Sequence, residues 1–151
     1  MNVEFDIVKG KGPLIFDPIR DADALKKMTS MDPAESMPYV GETLNILRKE
    51  VGNEAAVLGF VGAPFTLASY IIEGGTSRTY SHVKGMAFSN PSLLHAMLQK
   101  LTDNIIKYVQ YQADNGAQAV QLFDSWAGKL SPVDFDVFSK PYLEAIIKSV
   151  K

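Results

Sequence analysis

Two apolar runs of strand length set the strongest limit on what this chain can fold into. AAVLGFVG at 55–62 and AQAVQLF at 117–123 are nearly continuous in apolar side chains, and helical stretches separate them. Continuous rather than alternating runs belong to strands covered on both faces, which is the habit of parallel sheets. Strands joined through helices pair in parallel for the same topological reason. The expected class is therefore α/β. Two strands cannot make a covered parallel sheet by themselves. The runs imply either an unusual small α/β fold or one part of a larger barrel or sheet.

The segments around these runs can be placed from their punctuation. Residues 2–8 alternate like a short strand, and LIF at 14–16 follows the KGKGP loop; the two make an expected exposed hairpin in which Gly10 and Gly12 supply unusual backbone angles. Asp17-Pro18 begins a turn, 21–28 reads as a short helix, and 30–38 reads as a loop broken by Pro33 and Pro38. Val40, Leu44, Leu47 and Val51 keep helical spacing to Gly52. After the first apolar run, a helix is expected from about Thr66 to the Gly74-Gly75 stop, followed by a polar, mobile GTSRTYS loop and a short helix at 81–88. Asn90-Pro91 is an N-cap with proline at the first helical position. The long helix that follows carries the stripe Leu94, Met97, Leu98, Leu101, Ile105, Tyr108 and Val109, with Lys100, Asp103 and Lys107 expected on a solvated face. Ser131-Pro132 caps another helix, and Pro141 interrupts the stretch before 142–151.

Composition removes several function classes. The 151 residues are 46% hydrophobic with a net charge of −2, which gives no basic surface for nucleic acid or an anionic membrane. No run reaches the length of a membrane span. There is no cysteine, so disulfides and thiolate metal sites are excluded, and His82 and His95 lie without a carboxylate ligand pattern between them. Only three of the basic residues, Arg20, Arg48 and Arg78, are arginines, the usual bidentate partners of carboxylates. The opening MNVEFDIVKGKGP carries acids early and no apolar core of a signal. It is expected to be neither a signal nor a transit peptide and reads like the middle of a domain.

The strand ends carry the chemistry that remains. In α/β sheets and barrels the carboxyl ends of the strands line the ligand crevice. Each run ends in a phenylalanine followed by small or polar residues: Phe60 with Gly62 and Ala63, Phe123 with Asp124 and Ser125. Gly59 and Gly62 either let a ligand approach the backbone or make room for a packed helix. Tyr70 either directs its hydroxyl into the crevice or sits amphipathically at a core margin. Asp124 and Ser125 lack a histidine base nearby, which removes hydrolase chemistry. They either bind a polar ligand or form a solvated turn. Glu73-Gly74-Gly75 has no Walker lysine and no dinucleotide fingerprint, so nucleotides are discounted.

Taken together, GFVGAPFTLASYIIEGG at 59–75 and YQADNGAQAVQLFDSWAGKLSP at 111–132 resemble the uroporphyrinogen decarboxylase family, and VKGKGP at 8–13 with PYVGETLNILRKEVGNEAAVLGF at 38–60 resemble its plant plastid members. The blocks follow the family's order along the whole chain. The resemblance implies that residues 1–151 are a fragment of one TIM-barrel domain, a partial (β/α)8 barrel of about two to three βα units. It implies decarboxylation of the four acetate side chains of uroporphyrinogen III to coproporphyrinogen III, in heme and chlorophyll biosynthesis, with no metal or other cofactor. It places substrate-binding roles on Tyr70 and Ser125, which would hydrogen-bond carboxylates of the macrocycle. Phe60 and Phe123 would flank the tetrapyrrole, and Gly62 would bring backbone against it. Asp124 and Trp126 are expected to support the site rather than react. The family's arginine-rich segment, its catalytic aspartate and its C-terminal histidine have no counterpart here, so no catalytic residue is assigned and the isolated chain is expected to be inactive. A family homodimer and a plastid location are implied, with cytoplasm as the alternative location. Two other readings stand beside this one. A barrel methyltransferase would need zinc ligands that a cysteine-free chain lacks. A non-catalytic product that binds or regulates a full-length partner would suit the exposed sheet edges and apolar face of an open arc.

Overall fold

In the computed structural model, which describes residues 1–10 and 12–150, helices and strands alternate as an α/β arrangement with two separate two-stranded sheets. Lys11 of the KGKGP loop and Lys151 of the last helical stretch lie outside the described residues.

The first sheet is the antiparallel pair β1 (Phe5–Val8) and β2 (Gly12–Ile15), in register from Phe5 against Ile15 to Val8 against Gly12. Gly10 and Gly12 have φ of 80° and 77°, a conformation that a side chain would strain. Helix α1 (Ala22–Lys27) is capped by the Asp21 carboxylate, which accepts from the Ala24 N–H. The stretch 30–38, expected to be a loop, instead holds helix α2 (Pro33–Ser36), and Pro38 opens helix α3 (Pro38–Val51). Both prolines stand in the first helical turn, where the missing N–H costs nothing, and Asp32 caps Ala34 N–H ahead of the first. The two prolines therefore start helices here rather than break them.

The second sheet pairs β3 (Leu58–Gly62) in parallel with β4 (Ala119–Phe123), Leu58 opposite Ala119 and Gly62 opposite Phe123. Both strands are shorter than their apolar runs. Between them lie α4 (Pro64–Glu73), α5 (Ser81–Ser89) and α6 (Pro91–Asp114), and α7 (Pro132–Phe138) and α8 (Lys140–Ser149) follow β4. Helix α4 begins at Pro64, two residues before the expected start, and ends at Gly74, whose left-handed φ of 86° terminates it. Asn90 caps α6 through Leu93 N–H, and Ser131 caps α7 through Asp134 N–H, as their spacing predicts.

Helix α6 organises the core. Leu94, Met97, Leu98 and Leu101 are fully buried along its stripe, with Ile105 and Val109 continuing it. They pack with Phe65, Ala68 and Ile72 of α4 and with Tyr142 and Ile146 of α8. Each such aliphatic side chain contributes about 1.5–3 kcal/mol over its exposed state. The polar positions on α6 do more than meet solvent. Lys100 Nζ donates to Leu25 O at 3.0 Å, Asn104 Oδ1 accepts from Met31 N–H at 2.6 Å, and Lys107 Nζ donates to Ser30 Oγ at 2.7 Å. At helical spacing, these three moor the N-terminal segment to the helix layer. His95 belongs to this layer too: its ring stacks on Phe138 and its Nδ1 lies 2.6 Å from Tyr142 Oη.

The helices cover only one face of the parallel pair. Leu58 and Phe60 are 58% and 65% exposed on the other face, and Phe123 is 48% exposed beside them. The continuous apolar run is thus buried on one side and open on the other.

The free edge of β3 is not left bare. Val57 O and Ala63 N–H bond to β4, through Gln118 N–H and Phe123 O, so the backbone of the even-numbered residue Phe60 faces the opposite edge. There the side-chain amide of Gln112, on α6, takes both groups: Oε1 accepts from Phe60 N–H at 3.0 Å and Nε2 donates to Phe60 O at 3.2 Å.

Candidate active site

The carboxyl ends of β3 and β4 meet at Gly62 and Phe123, and Ala63 N–H donates to Phe123 O at 2.8 Å just beyond the ladder. Phe60 and Phe123 lie diagonally on the open face, with ring centroids 6.2 Å apart in an edge-to-face arrangement. Together they form an exposed aromatic wall at the end of the sheet.

Behind this wall, the segment after β4 is held by polar contacts. Thr66, in the first turn of α4, donates its hydroxyl to Asp124 Oδ1 at 2.7 Å, and Thr66 Oγ1 in turn accepts from Trp126 N–H at 3.1 Å. Ser139, at the junction of α7 and α8, donates to Asp124 Oδ2 at 2.5 Å. Asp124 and Trp126 thus tie the strand end to two helices. Ser125 between them is exposed and makes no side-chain hydrogen bond among the described residues.

The ring of Trp126 lies between two tyrosines, with centroids 5.8 Å from Tyr70 and 5.3 Å from Tyr80. Tyr80 comes from the 75–81 loop, expected to be polar and mobile. Its ring is buried, its backbone is left-handed at φ 55°, and its hydroxyl has no hydrogen-bond partner among the described residues. Burial, and secondarily the nearby Tyr70 and Glu73, push the Tyr80 hydroxyl above its ordinary range, so it stays protonated near neutrality. The Glu73 carboxylate also accepts from Val83 N–H at 2.9 Å and caps α5 across this loop.

Tyr70 borders a groove of about 520 Å³ that includes Val3, Phe5 and Leu67. A neighbouring groove of about 570 Å³ is lined by Phe60 and Gly62 and shares Phe5 and Leu67 with the first. Three of the five expected site residues therefore border adjoining grooves, while Phe123 and Ser125 stand beside them at the strand ends. The two glycines of the first strand have packing partners. A Cβ on Gly59 would come 2.5 Å from Gln112 Oε1, and one on Gly62 would come 2.8 Å from Leu67 Cδ2.

The arginines do not gather at the strand ends. Arg20 donates to Ile72 O and Glu73 O at the end of α4, Arg48 donates to Gly52 O at the end of α3, and Arg78 is exposed on the 75–81 loop. Among the described residues no three His, Asp or Glu side chains group as a metal site, and no helix is long and apolar enough to cross a membrane. Among the described residues, the strand ends offer hydroxyl groups and aromatic faces, and no arginine stands with them.

Comparison with known proteins gives this arrangement a lineage. Residues 1–151 match the family model described as uroporphyrinogen decarboxylase. The chain belongs to the uroporphyrinogen decarboxylase family. It is 65% identical over 151 residues to uroporphyrinogen decarboxylase 2, chloroplastic, of Oryza sativa subsp. japonica, covering all of this chain and 39% of that protein. The chloroplastic uroporphyrinogen decarboxylase of Nicotiana tabacum is 62% identical over the same span, again 39% of its length. That of Synechococcus sp. (strain CC9902) is 54% identical over 43% of its length. The chain thus spans about two-fifths of the curated uroporphyrinogen decarboxylases it matches. Sequence reasoning within this family segment reached the residues at the strand ends but missed Thr66, Tyr80, Gln112 and Ser139. Their partners lie far along the chain, and no local spacing signals them.

Proposed function

We propose that this chain is the portion of a uroporphyrinogen decarboxylase (β/α)8 barrel that contributes two adjacent βα units and one wall of the substrate cleft. Residues 1–151 form part of a single domain, and its remaining strands would cover the open face of Leu58, Phe60 and Phe123. The observation that carries this reading is that exposed aromatic face at the strand ends, in a chain matching the family from end to end.

In the complete enzyme the reaction would convert uroporphyrinogen III to coproporphyrinogen III by removing four carboxylates as carbon dioxide, without metal or prosthetic group. Each bond to a departing carboxylate breaks with its electron pair passing into a protonated pyrrole ring, and a proton replaces the lost group. Phe60 and Phe123 would stack beside the macrocycle, and Tyr70 and Ser125 would donate hydrogen bonds to its carboxylates. Gly62 would keep the intervening backbone low. An octa-anionic substrate needs cations, and two of the three arginines here are committed to helix ends. The chain alone is therefore inactive, and the catalytic acid and the arginine clamp come from other segments of the domain. The chloroplastic names of the plant relatives support a plastid location, and the family reading extends to a homodimer. A non-catalytic role, binding a full-length partner through the open face, is favoured by the same exposure of Phe60 and Phe123.

The test is to incubate the purified chain anaerobically with uroporphyrinogen III and separate the products by carboxylate number. No conversion is expected from the chain alone. Coproporphyrinogen formed at a rate like that of a complete relative overturns the claim of inactivity. Retention of an intact decarboxylase by the immobilised chain supports the partner reading instead.

A further inference from the structure

The ladder between β3 and β4 ends at Phe123, and from there the backbone of 124–126 has no sheet partner. Side chains take over. We infer that Thr66, Asp124 and Ser139 form a positioning unit that fixes where Ser125 and Trp126 stand relative to Tyr70. The unit rests on the reading that Ser125 and Tyr70 contact substrate carboxylates, but its geometry is independent of that reading.

The hydrogen-bond polarity of the unit is determined throughout. Thr66 Oγ1 must accept from Trp126 N–H, which leaves its own proton to be donated, and it goes to Asp124 Oδ1. Ser139 likewise donates to Asp124 Oδ2. Two donors converging on one side chain suit a group that only accepts, as a carboxylate does; an amide would turn its N–H toward one hydroxyl and reverse that bond. Thr66 and Ser139 are both buried, so neither hydroxyl can exchange its partner for bulk water at no cost. None of the ion pairs among the described residues involves Asp124, so its contacts are these neutral donors.

Ser125 is thereby held between two pinned neighbours while its own hydroxyl stays unengaged. The other end of the unit matters as much. Thr66 and Tyr70 are four residues apart on α4, one above the other on a helix face. Tyr70 in turn packs on Trp126, whose N–H is bound by Thr66. The separation between the two candidate carboxylate donors is therefore set by one closed circuit of contacts, from Thr66 through Asp124 and Trp126 to Tyr70. Thr66, Asp124 and Ser139 are positioning residues; none of the three is assigned contact with substrate.

The full chain can be tested as Thr66→Val, Thr66→Ser, Asp124→Asn and Ser139→Ala. Three signals are read: far-ultraviolet circular dichroism, the near-ultraviolet band of Trp126, which is the only tryptophan, and quenching of Trp126 by uroporphyrin, a stable octacarboxylic probe. Thr66→Val and Asp124→Asn are expected to shift the Trp126 band and weaken uroporphyrin binding about tenfold, the loss of one or two hydrogen bonds, at unchanged helix content. Thr66→Ser, which keeps the hydroxyl, should restore both signals. Should Thr66→Val fail to fold, Asp124→Asn and the milder Ser139→Ala decide. Lower stability with unchanged Trp126 band and unchanged uroporphyrin affinity overturns the inference and leaves the unit as scaffold. If the parent chain, which lacks the arginine clamp, does not bind uroporphyrin, the Trp126 band alone decides: no shift in Asp124→Asn overturns the positioning unit.

Discussion

Replacing Gly59 by alanine tests the edge of the sheet with one methyl group. The new Cβ would stand 2.5 Å from Gln112 Oε1 and 3.2 Å from the Ala117 Cβ, so the amide must move. Gln112 is 2% exposed and has nowhere wet to go. Its displacement breaks both bonds to the Phe60 backbone, at 3.0 and 3.2 Å. Two net hydrogen bonds are worth about 2 kcal/mol, and an amide left buried without partners costs about 1–3 kcal/mol more. Alanine recovers about 0.4–1 kcal/mol by restricting the unfolded chain. The net loss is about 3 kcal/mol, a fall of about 6–12 °C in the melting midpoint for a domain of this size. Urea unfolding followed by Trp126 emission measures it. The double variant Gly59→Ala/Gln112→Ala gives the sharper readout. Once the amide is gone, the closest clash is removed and the contact at 3.2 Å with Ala117 Cβ remains, so the second substitution should cost much less on top of Gln112→Ala than alone, a coupling of about 2 kcal/mol. A loss below about 1 kcal/mol for Gly59→Ala, or strict additivity in the double variant, would refute the account of Gly59 as the space for Gln112.

Two further outcomes follow from single sites, and a third from three tyrosines together. Tyr80→Phe removes a buried hydroxyl that has no partner among the described residues, and should leave stability unchanged or raise it by up to about 1 kcal/mol, checked by the same urea titration. Asn90→Ala removes the cap that accepts from Leu93 N–H and should cost about 1 kcal/mol, visible as a lower midpoint with α6 otherwise intact by far-ultraviolet circular dichroism. Burial first of all raises the hydroxyls of Tyr80, Tyr108 and Tyr142 above the ordinary 10.0. The folded state therefore holds these protons at a pH where the unfolded chain releases them. Their contribution is complete below pH 10 and disappears as pH rises through the folded values, so unfolding by alkali should set in above about pH 10 and coincide with tyrosinate absorbance.

How much of this was legible beforehand depended on the distance between cause and effect along the chain. The parallel pairing of 58–62 with 119–123 followed from apolar runs separated by helices, and Asn90 and Ser131 declared their caps within three residues. The Gly10–Gly12 hairpin was equally local. The helix at 33–36 was missed because proline was read as a breaker, although Asp32 before it supplies the cap that makes Pro33 a starter. Apolar character showed that Leu58 and Phe60 suit burial, but hydrophobicity does not say whether a partner is present to bury them. At the candidate site, the hydroxyl of Thr66 gains its meaning from Asp124, 58 residues away, and the amide of Gln112 from Phe60, 52 residues away. No periodicity or capping rule reaches that far. The lysines of α6 were read as solvated for the same reason: Leu25 and Ser30, which they bind, lie more than 70 residues earlier.

The parallel pair also has a kinetic consequence. Its two strands are joined only through α4, α5 and α6, and the bonds that seal the strand ends, Thr66 to Asp124 and Trp126 to Thr66, span 58 and 60 residues. Closing so long a loop carries an entropic cost that the short-range helix contacts do not share. Caps and turns within the helix layer can form early, whereas the sheet and the residues at its tip wait for the ends of the loop to meet. The last part of the molecule to assemble is then the part proposed to face a ligand. Any substitution that slows or weakens docking of α4 on α6 should appear first as disorder around Ser125, before the helices themselves lose structure.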